Sequence, residues 1–236
     1  MGALLDGSGA FMRRATSGIT AFPWTVMAWV RPHSVTADGT ICSLSSGSSD
    51  DNPVFRRNAT YGIYNGTSAV FTPSIAAVGR WDFVVGRFIS SSLSRLHVLT
   101  GTGTIASVQL TTVATAFFNQ QVIGATYVGS ATNFFNGVIA EVTFLKGDVQ
   151  SDTGVIAAPL LHQLAYGGPF SVGNLGDKVV NHDSFRSYTG GDTTNIEAYE
   201  TGLSSALINA GGVPGPHPPL PSTYARPSES RRILVI

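Results

Sequence analysis

Apolar and polar residues alternate over short stretches of the chain, and the clearest example is Trp24–Arg31. The even-numbered positions of this segment are all apolar, and its odd-numbered positions include the apolar residues Met27 and Trp29. Apolar residues on both faces are typical of a strand buried inside a β-sandwich. We expect Pro32 to end this strand, because proline has no backbone N–H to donate to a neighbouring strand.

The same pattern predicts further strands, whose starts recur about every 8–12 residues, as in antiparallel sandwiches. Asn65-Gly66 predicts a hairpin turn, whereas the composition of Ser46–Pro53 predicts a loop. Weaker strand signals occur at Lys178–Asn181 and Leu203–Ile208. The other predicted strands are Gly39–Ser45, Tyr61–Tyr64, Ser68–Phe71, Trp81–Ile89, Ser94–Thr100, Thr104–Leu110, Gln121–Thr126 and Gly137–Leu145.

One interval, Ser151–Tyr166, has the character of a helix. Ser151 or Asp152 can cap its start, and Gly167-Gly168 can end it. A proline interrupts the interval, and proline is tolerated only in the first turn of a helix. We therefore predict one short helix, best formed over Pro159–Ala165.

The C-terminal part of the chain has a different composition. Residues 211–222 are rich in proline and glycine and predict a stiff, extended spacer. Residues 223–236 end in an apolar, β-prone tetrapeptide that would favour aggregation if it were free in water. We therefore expect this C-terminal arm to dock, either on its own domain (residues 1–210) or as an added strand on a neighbour. The predicted docking residues are Arg231, Arg232, Ile233, Leu234, Val235 and Ile236.

The charges of the chain are few and balanced. Lys and Arg together number 14, as do Asp and Glu, so the formal net charge is zero, and 12% of the residues are charged. We expect no nucleic-acid partner, because phosphate contacts need a surplus of cations. The doublets Arg13-Arg14 and Arg56-Arg57 are expected to be ordinary solvated surface. Low charge suits close packing of copies, because like-charge repulsion between them is small.

Three features bear on redox chemistry and membranes. The single cysteine, Cys42, cannot form an internal disulfide or a cysteine-based zinc site. No window approaches 18 uninterrupted apolar residues, so we expect no membrane insertion. Asp6 interrupts the N-terminal residues before an apolar core of useful length, so we expect no signal peptide.

Three segments, in this order along the chain, resemble strands of the concanavalin A-like, laminin-G-type jelly roll. The first is Pro23–Pro32, the second is Gly79–Val84, and the third combines Val122–Gly124 with Phe135–Leu145. Together they cover about Gly9–Gly168. The resemblance implies an all-β fold, a two-sheet antiparallel jelly-roll sandwich with one short helix, to which the extended C-terminal arm is attached.

Individual residues of these segments also fit a sandwich. The rings of Trp29 and Trp81 are expected to fill the space between two sheets, which lie about 10 Å apart. Gly124 and Gly137 stand at predicted strand edges, where a bulge or a close backbone approach is the usual reason for glycine.

The jelly-roll family that these segments resemble includes enzymes. These hydrolyse β-glucans with carboxylates that alternate along one strand. Their chemistry needs two carboxyl groups about 5–9 Å apart. Glu141 is the only acid in the corresponding strand here, and Glu197 and Glu200 lie in a segment without clear alternation. No Gly-x-Ser-x-Gly elbow occurs, and the histidines show no ligand spacing. We therefore expect no enzymatic activity, and glucan cleavage through Glu141 is the least favoured function.

The resemblance also implies calcium binding as an alternative, because many domains of this type bind Ca²⁺. Ca²⁺ needs six to eight oxygen ligands. Asp50-Asp51-Asn52 is the best local cluster, and Asp148 and Asp152 flank the predicted helix. We favour the alternative that these acids lie in solvated turns, with Asp152 capping the helix. No cofactor is therefore expected, and calcium is the minor alternative.

The resemblance implies a protein of a virion surface, because sandwiches without signal sequences occur among accessory proteins of tailed bacteriophages. Such a protein would be a capsid decoration, head-fibre or tail-associated adhesion protein, made in the host cytoplasm and attached through residues 211–236. Its partners would be other virion proteins, copies of itself and host surface glycans. The alternative is a stand-alone lectin, in which aromatic and amide side chains contact a sugar. The predicted glycan contacts are Tyr61, Tyr64, Asn65, Tyr127 and Asn133.

Overall fold

The computed structural model describes residues 2–14, 16–46, 51–113, 118–168, 172–173, 175–183, 208–210 and 213–215. The predicted C-terminal arm, with its docking residues Arg231–Ile236, lies outside these ranges. The described residues form seventeen strands, one α-helix and one short 3-10 helix, Leu175–Lys178. In chain order the strands and the α-helix are β1 (Gly2–Asp6), β2 (Phe11–Arg14), β3 (Trp24–Pro32), β4 (Gly39–Ser45), β5 (Asp51–Arg57), β6 (Thr60–Tyr64), β7 (Ala69–Phe71), β8 (Asp82–Ser90), β9 (Leu93–Thr100), β10 (Ile105–Leu110), β11 (Gln120–Ile123), β12 (Thr126–Val128), β13 (Ser130–Thr132), β14 (Asn136–Leu145), α1 (Ala158–Gly167), β15 (Val179–Asp183), β16 (Ile208–Ala210) and β17 (Val213–Gly215).

Two antiparallel sheets pack face to face. The first sheet has the strand order β10-β9-β8-β3-β14-β1-β17, and β15 pairs with β14 beyond the end of β1. The second sheet has the order β16-β2-β11-β4-β5-β6-β7, and β12 and β13 form a separate hairpin. The predicted two-sheet antiparallel sandwich with one short helix is therefore confirmed.

The even-numbered residues of β3 face the second sheet and form the core between the two layers. Trp24 and Phe88 stack there with ring centroids 3.9 Å apart and ring planes within 4° of parallel. Val26, Ala28 and Val30 continue the same row and are buried in the same cluster. The alternation along Trp24–Arg31 thus predicted both the strand and its inward face.

The odd-numbered residues of β3 form a second apolar layer, between the first sheet and helix α1. Trp29 packs against Phe83 and Tyr166, and its indole N–H donates a hydrogen bond of 2.8 Å to the backbone oxygen of Ala165. Trp81 is buried in the same layer. The prediction that Trp29 and Trp81 fill the space between the sheets was wrong, because a strand covered on both faces offers two apolar layers.

Helix α1 begins at Ala158, has a proline in its first turn and ends at Gly167, with Gly168 as its C-cap. The N–H of Gly168 donates to the oxygen of Leu164 at 3.1 Å, with a φ of 68° that favours glycine. The predicted N-terminal cap, Ser151 or Asp152, was wrong, because the residue before the helix is Ala157 and Asp152 accepts the N–H of Gly154 in the preceding loop. The predicted end of the helix at Gly167-Gly168 is confirmed. No helix in the described ranges has the length and apolarity to cross a membrane.

A buried arginine fixes this loop on the first sheet. Arg87 of β8 forms two parallel hydrogen bonds with Asp148, from Nε at 2.6 Å and from Nη2 at 2.7 Å. It also donates to the backbone oxygens of Gly154 and Asp152. The four hydrogen bonds give every nitrogen of this fully buried guanidinium a partner, so one carboxylate and two backbone carbonyls hold the chain before α1 on the sheet.

Two more arginines are fully buried, contrary to the prediction that both arginine doublets are solvated surface. Arg14 donates to Oε1 of Gln121 at 3.1 Å, and Arg56 donates to the backbone oxygen of Asn58 at 2.8 Å. Successive side chains of a strand point to opposite faces, so one member of each doublet turns into the sandwich. An inward arginine interrupts the apolar alternation. The loop that the composition of Ser46–Pro53 predicted was wrong for its last three residues, because β5 begins at Asp51.

Both glycines singled out in the sequence lie where backbones approach closely. A Cβ on Gly124, where φ is 85°, would lie 2.3 Å from Cδ1 of Leu5. A Cβ on Gly137 would lie 2.4 Å from the backbone oxygen of Arg31. The Asn65-Gly66 hairpin is also confirmed, since β6 and β7 pair on either side of it.

Late segments complete both sheets. The predicted strand at Lys178–Asn181 is confirmed as β15, and β16 overlaps the predicted strand Leu203–Ile208 at its last residue. Residues 201–207 lie outside the described ranges. Within the predicted spacer 211–222, residues 213–215 form β17, which pairs with β1 and so extends the first sheet. Its proline fits there because an edge strand need not donate from every nitrogen.

Candidate functional site

A cleft of about 270 Å³ opens on the outer face of the second sheet, beside the β12–β13 hairpin. Strands β4 to β7 contribute their outward residues to it, since the inward ones, such as Val54 and Ile63, belong to the core. The charged and polar residues of its lining are Asp38, Thr40, Arg57, Tyr64, Thr126 and Asn133.

Phe55 lines the cleft and Phe71 packs beside it; this pair, called the aromatic floor, depends on a glycine. Phe55 and Phe71 flank Gly62 in register on the two neighbouring strands. Their rings meet edge to face over this glycine, with centroids 5.3 Å apart and planes at 88°. A Cβ on Gly62 would lie 2.9 Å from both rings, so the absence of a side chain lets the two rings come together.

A charged pair lies above this floor. Nε of Arg57 donates to Oδ2 of Asp38 at 3.0 Å, and both side chains are about half exposed, at 53% and 42%. Cζ of Arg57 is 5.0 Å from the ring centroid of Phe71 and 5.8 Å from that of Phe55. Within the described residues, Nη1 and Nη2 donate no hydrogen bond. The guanidinium is thus oriented by the rings and the carboxylate, with two nitrogens available to a ligand.

The hairpin wall of the cleft is tied to β4. The hydroxyls of Thr40 and Thr126 are hydrogen-bonded at 2.7 Å, and the N–H of Thr40 donates to the oxygen of Asn133 at 2.8 Å. Ser45 donates from its hydroxyl to the backbone oxygen of Tyr127. Asn133 is exposed and has a φ of 49°, a conformation that asparagine adopts more readily than most residues.

Of the five predicted glycan contacts, the structure brings two together in this cleft, Tyr64 and Asn133. Tyr127 lies at the β2 end of the same face instead. Its ring centroid is 6.1 Å from that of Phe11 and 4.4 Å from Cζ of Arg13.

The other two predicted contacts are not on the surface. Tyr61 is fully buried, and its hydroxyl donates to Oδ2 of Asp82 at 2.7 Å. Burial, followed by the neighbouring carboxylate, raises the pKa of Tyr61 well above its usual value. Asn65 is also fully buried and donates to the oxygen of Thr112, while its own side-chain oxygen accepts the N–H of Ser68. The prediction that these two residues contact a sugar was wrong, because Tyr61 belongs to the core and the side chain of Asn65 holds a turn.

Sequence reasoning missed the charged pair and the aromatic floor. Asp38 and Arg57 are distant in sequence, and Phe55 belongs to a strand that the sequence did not predict from its pattern. One signal was available, the aromatic-arginine spacing of Phe55 and Arg57, which places both side chains on one face of a strand.

The acids singled out in the sequence do not come together as a metal site among the described residues. They contain no group of three or more His, Cys, Asp or Glu side chains that could hold a metal ion. Asp148 and Asp152 are occupied by the hydrogen bonds already given, while Asp50 and the side chains of Asp51 and Asn52 are not among the described residues. Glu141 is the positive-φ residue of a bulge in β14, away from the cleft.

No protein-family model and no curated protein sequence matches this chain. Among solved structures, a heptameric SAP-like pentraxin from Limulus polyphemus is similar, with 15% identity and a TM-score of 0.53 over 89% of this chain and 94% of the pentraxin. The enzymatically active domain of tailspike protein 2 from bacteriophage CBA120 shows 13% identity and a TM-score of 0.53 over 77% of this chain and 29% of that chain. Domains LG4-5 of the mouse laminin α1 chain show 15% identity and a TM-score of 0.43 over 61% and 40%.

This chain spans less than half the length of the tailspike and laminin chains, and nearly all of the pentraxin. At such identities the similarity concerns the fold alone. The pentraxin and tailspike structures therefore support the predicted fold, a two-sheet antiparallel sandwich.

Proposed function

We propose that this protein is a lectin-like, non-enzymatic carbohydrate-binding protein, and that the cleft on the second sheet is its sugar site. The observation that carries the proposal is the Arg57–Asp38 pair, set above the Phe55–Phe71 floor in an open cleft. It requires no cofactor.

The chemistry of a sugar matches this arrangement. A pyranose presents an apolar C–H face and a rim of hydroxyls, so it needs an aromatic surface beside fixed donors and acceptors. The rings supply the apolar surface, and the free guanidinium nitrogens and the second carboxylate oxygen of Asp38 supply donors and an acceptor for neighbouring hydroxyls. Asn133 and Tyr64 add an amide and a phenol at the rim.

The absence of a second carboxyl group supports a binding role over hydrolysis. Glycoside hydrolysis uses two carboxyl groups about 5–9 Å apart. Among the described residues that line the cleft, Asp38 alone carries a carboxyl group, and it already pairs with Arg57.

Glycan-array binding with matched variants tests the proposal. Arg57→Ala is expected to weaken glycan binding roughly 10-fold to 100-fold, because hydrogen bonds to charged groups contribute about 1.5–3 kcal/mol. Arg31→Ala is the matched control, since Arg31 also donates from Nε to a single oxygen, the backbone oxygen of Gly79, but lies outside the cleft. Binding that Arg57→Ala leaves unchanged, or an array without any hit, would contradict the proposal.

A role on a virion surface is the second candidate. It is favoured by the fold that the sandwich shares with a bacteriophage tailspike domain, and by the low, balanced charge. In this role the sandwich displays the cleft, and the C-terminal arm binds other virion proteins or further copies. Deletion of residues 223–236 is then expected to release the protein from particles while glycan binding persists. Particle association that survives the deletion would argue against attachment through the arm.

A further inference from the structure

A second cluster of aromatic and cationic side chains lies at the β2 end of the same face. We call it the Arg13 patch; it consists of Phe11, Arg13, Tyr127 and Phe134, all half-buried. The ring centroid of Phe11 is 6.1 Å from that of Tyr127 and 6.2 Å from that of Phe134. The cluster therefore presents three adjoining rings with a guanidinium over one of them.

The guanidinium of Arg13 is oriented by an aromatic ring and has no polar partner among the described residues. Its Cζ is 4.4 Å from the ring centroid of Tyr127, within the range of a cation–π contact. It forms no hydrogen bond or ion pair with any described residue. The described residues therefore leave the N–H groups of Arg13 available as donors. Two such N–H groups can donate in parallel to the two oxygens of a carboxylate.

The two charged side chains of β2, Arg13 and Arg14, have the same sign. Arg14, the next residue of β2, is fully buried beneath the sheet, where Gln121 accepts one of its hydrogen bonds. The cleft differs, because Asp38 pairs with Arg57 there. An anionic group is therefore favoured at the Arg13 patch more than at the cleft.

The Arg13 patch and the cleft lie at the two ends of one row of paired residues in the second sheet. Arg13 pairs with Val122, Val122 with Ser43, and Ser43 with Pro53, which lines the cleft. These four residues form one row across the second sheet. Three strand spacings of roughly 4.8 Å put the ends of the row about 14 Å apart. Val122 and Ser43 are fully buried, so a ligand that reaches both ends does not contact these two residues.

We infer that the Arg13 patch is a second subsite, which binds an acidic sugar unit of an oligosaccharide whose uncharged unit occupies the cleft. The inference rests on the proposed carbohydrate-binding function and names its ligand class, a glycan that carries a carboxylate. It also gives a role to Tyr127, the predicted sugar contact that the cleft does not include. The apolar face of the acidic sugar packs on the rings while its carboxylate accepts two hydrogen bonds from Arg13.

Two oligosaccharides that differ only in a terminal glucuronic acid or glucose test this inference by calorimetric titration of the full chain. We expect the acidic ligand to bind at least about 10-fold more tightly to the unaltered protein at low salt. Arg13→Gln should remove this preference while the affinity for the neutral ligand stays the same. Arg57→Ala should weaken both ligands and keep their ratio, and Arg31→Gln should change neither.

The outcomes separate the two levels of the proposal. Equal affinity for both ligands, or an acid preference that persists in Arg13→Gln, overturns the second subsite and leaves the cleft as the sugar site. If neither ligand binds, titration of glucuronate alone, followed by the NMR signals of Arg13 and Tyr127, tests the patch without the cleft. Unperturbed signals then overturn the subsite as well.

Discussion

Asp82→Ala should lower the free energy of unfolding by about 3–5 kcal/mol, since it removes the acceptor of four hydrogen bonds, leaves the buried hydroxyl of Tyr61 without a partner and takes the carboxylate from the partly buried Arg80. Asp82 has no solvent exposure and accepts four hydrogen bonds. Arg80 donates two of them, from Nε at 2.7 Å and Nη2 at 3.0 Å; the hydroxyl of Tyr61 and the N–H of Gly101 donate the others, at 2.7 and 3.0 Å. Urea denaturation at neutral pH measures the loss.

Asp38→Ala is the matched control for this prediction. Asp38 also pairs with an arginine, but both side chains of that pair are about half exposed, and such pairs contribute about 0–1 kcal/mol. Urea midpoints that fall equally in Asp82→Ala and Asp38→Ala would show that the buried hydrogen bonds of Asp82 contribute no more to stability than the exposed pair, and would contradict the prediction.

Gly86→Ala should destabilise the protein by about 1–3 kcal/mol, the usual cost of overpacking a core. A Cβ on Gly86 would lie 2.3 Å from Cγ2 of Val54, a residue of the opposite sheet, and 3.5 and 3.6 Å from Val26 and Ile63. Thermal and urea unfolding measure this cost. Gly9→Ala serves as the control, because nothing lies within 4 Å of the corresponding position.

The double variant Gly86→Ala/Val54→Ala makes this prediction specific to the packing of the two sheets. Val54→Ala removes the methyl group that an alanine at position 86 would overlap. The two substitutions should therefore destabilise the double variant less than the sum of their separate effects, by about 1 kcal/mol or more. Strict additivity would mean that the sheets are not in the contact described.

The strands that the sequence predicted are those whose residues alternate without interruption. β3 and β4 were recognised for this reason, and α1 because a proline and two glycines delimit it. β2 and β5 were missed because Arg14 and Arg56 turn inward and break the apolar pattern. The face of Trp29 was misassigned because pattern alone cannot distinguish a second sheet from a helix as the covering layer.

The candidate site was predictable only in part. Tyr64 and Asn133 were predicted as sugar contacts because they are aromatic or amide residues near turns. The same criterion also selected Tyr61 and Asn65, which cannot contact a sugar because they are fully buried. Whether a tyrosine of a strand faces solvent depends on register, which in turn depends on pairing with distant strands. Asp38 and Arg57 come together through the β4–β5 pairing, and no local signal marks that contact.

Sugar binding at the cleft is tested most directly by mapping backbone amide shifts during titration with a glycan that the array identifies. The largest shifts should fall on Thr40, Arg57, Tyr64 and Asn133, which line the cleft from three strands and the hairpin. They should disappear in Arg57→Ala and persist in Arg31→Ala. Shifts centred on helix α1 or on the edge strand β10, with the cleft signals unmoved, would place the sugar elsewhere and contradict the proposal.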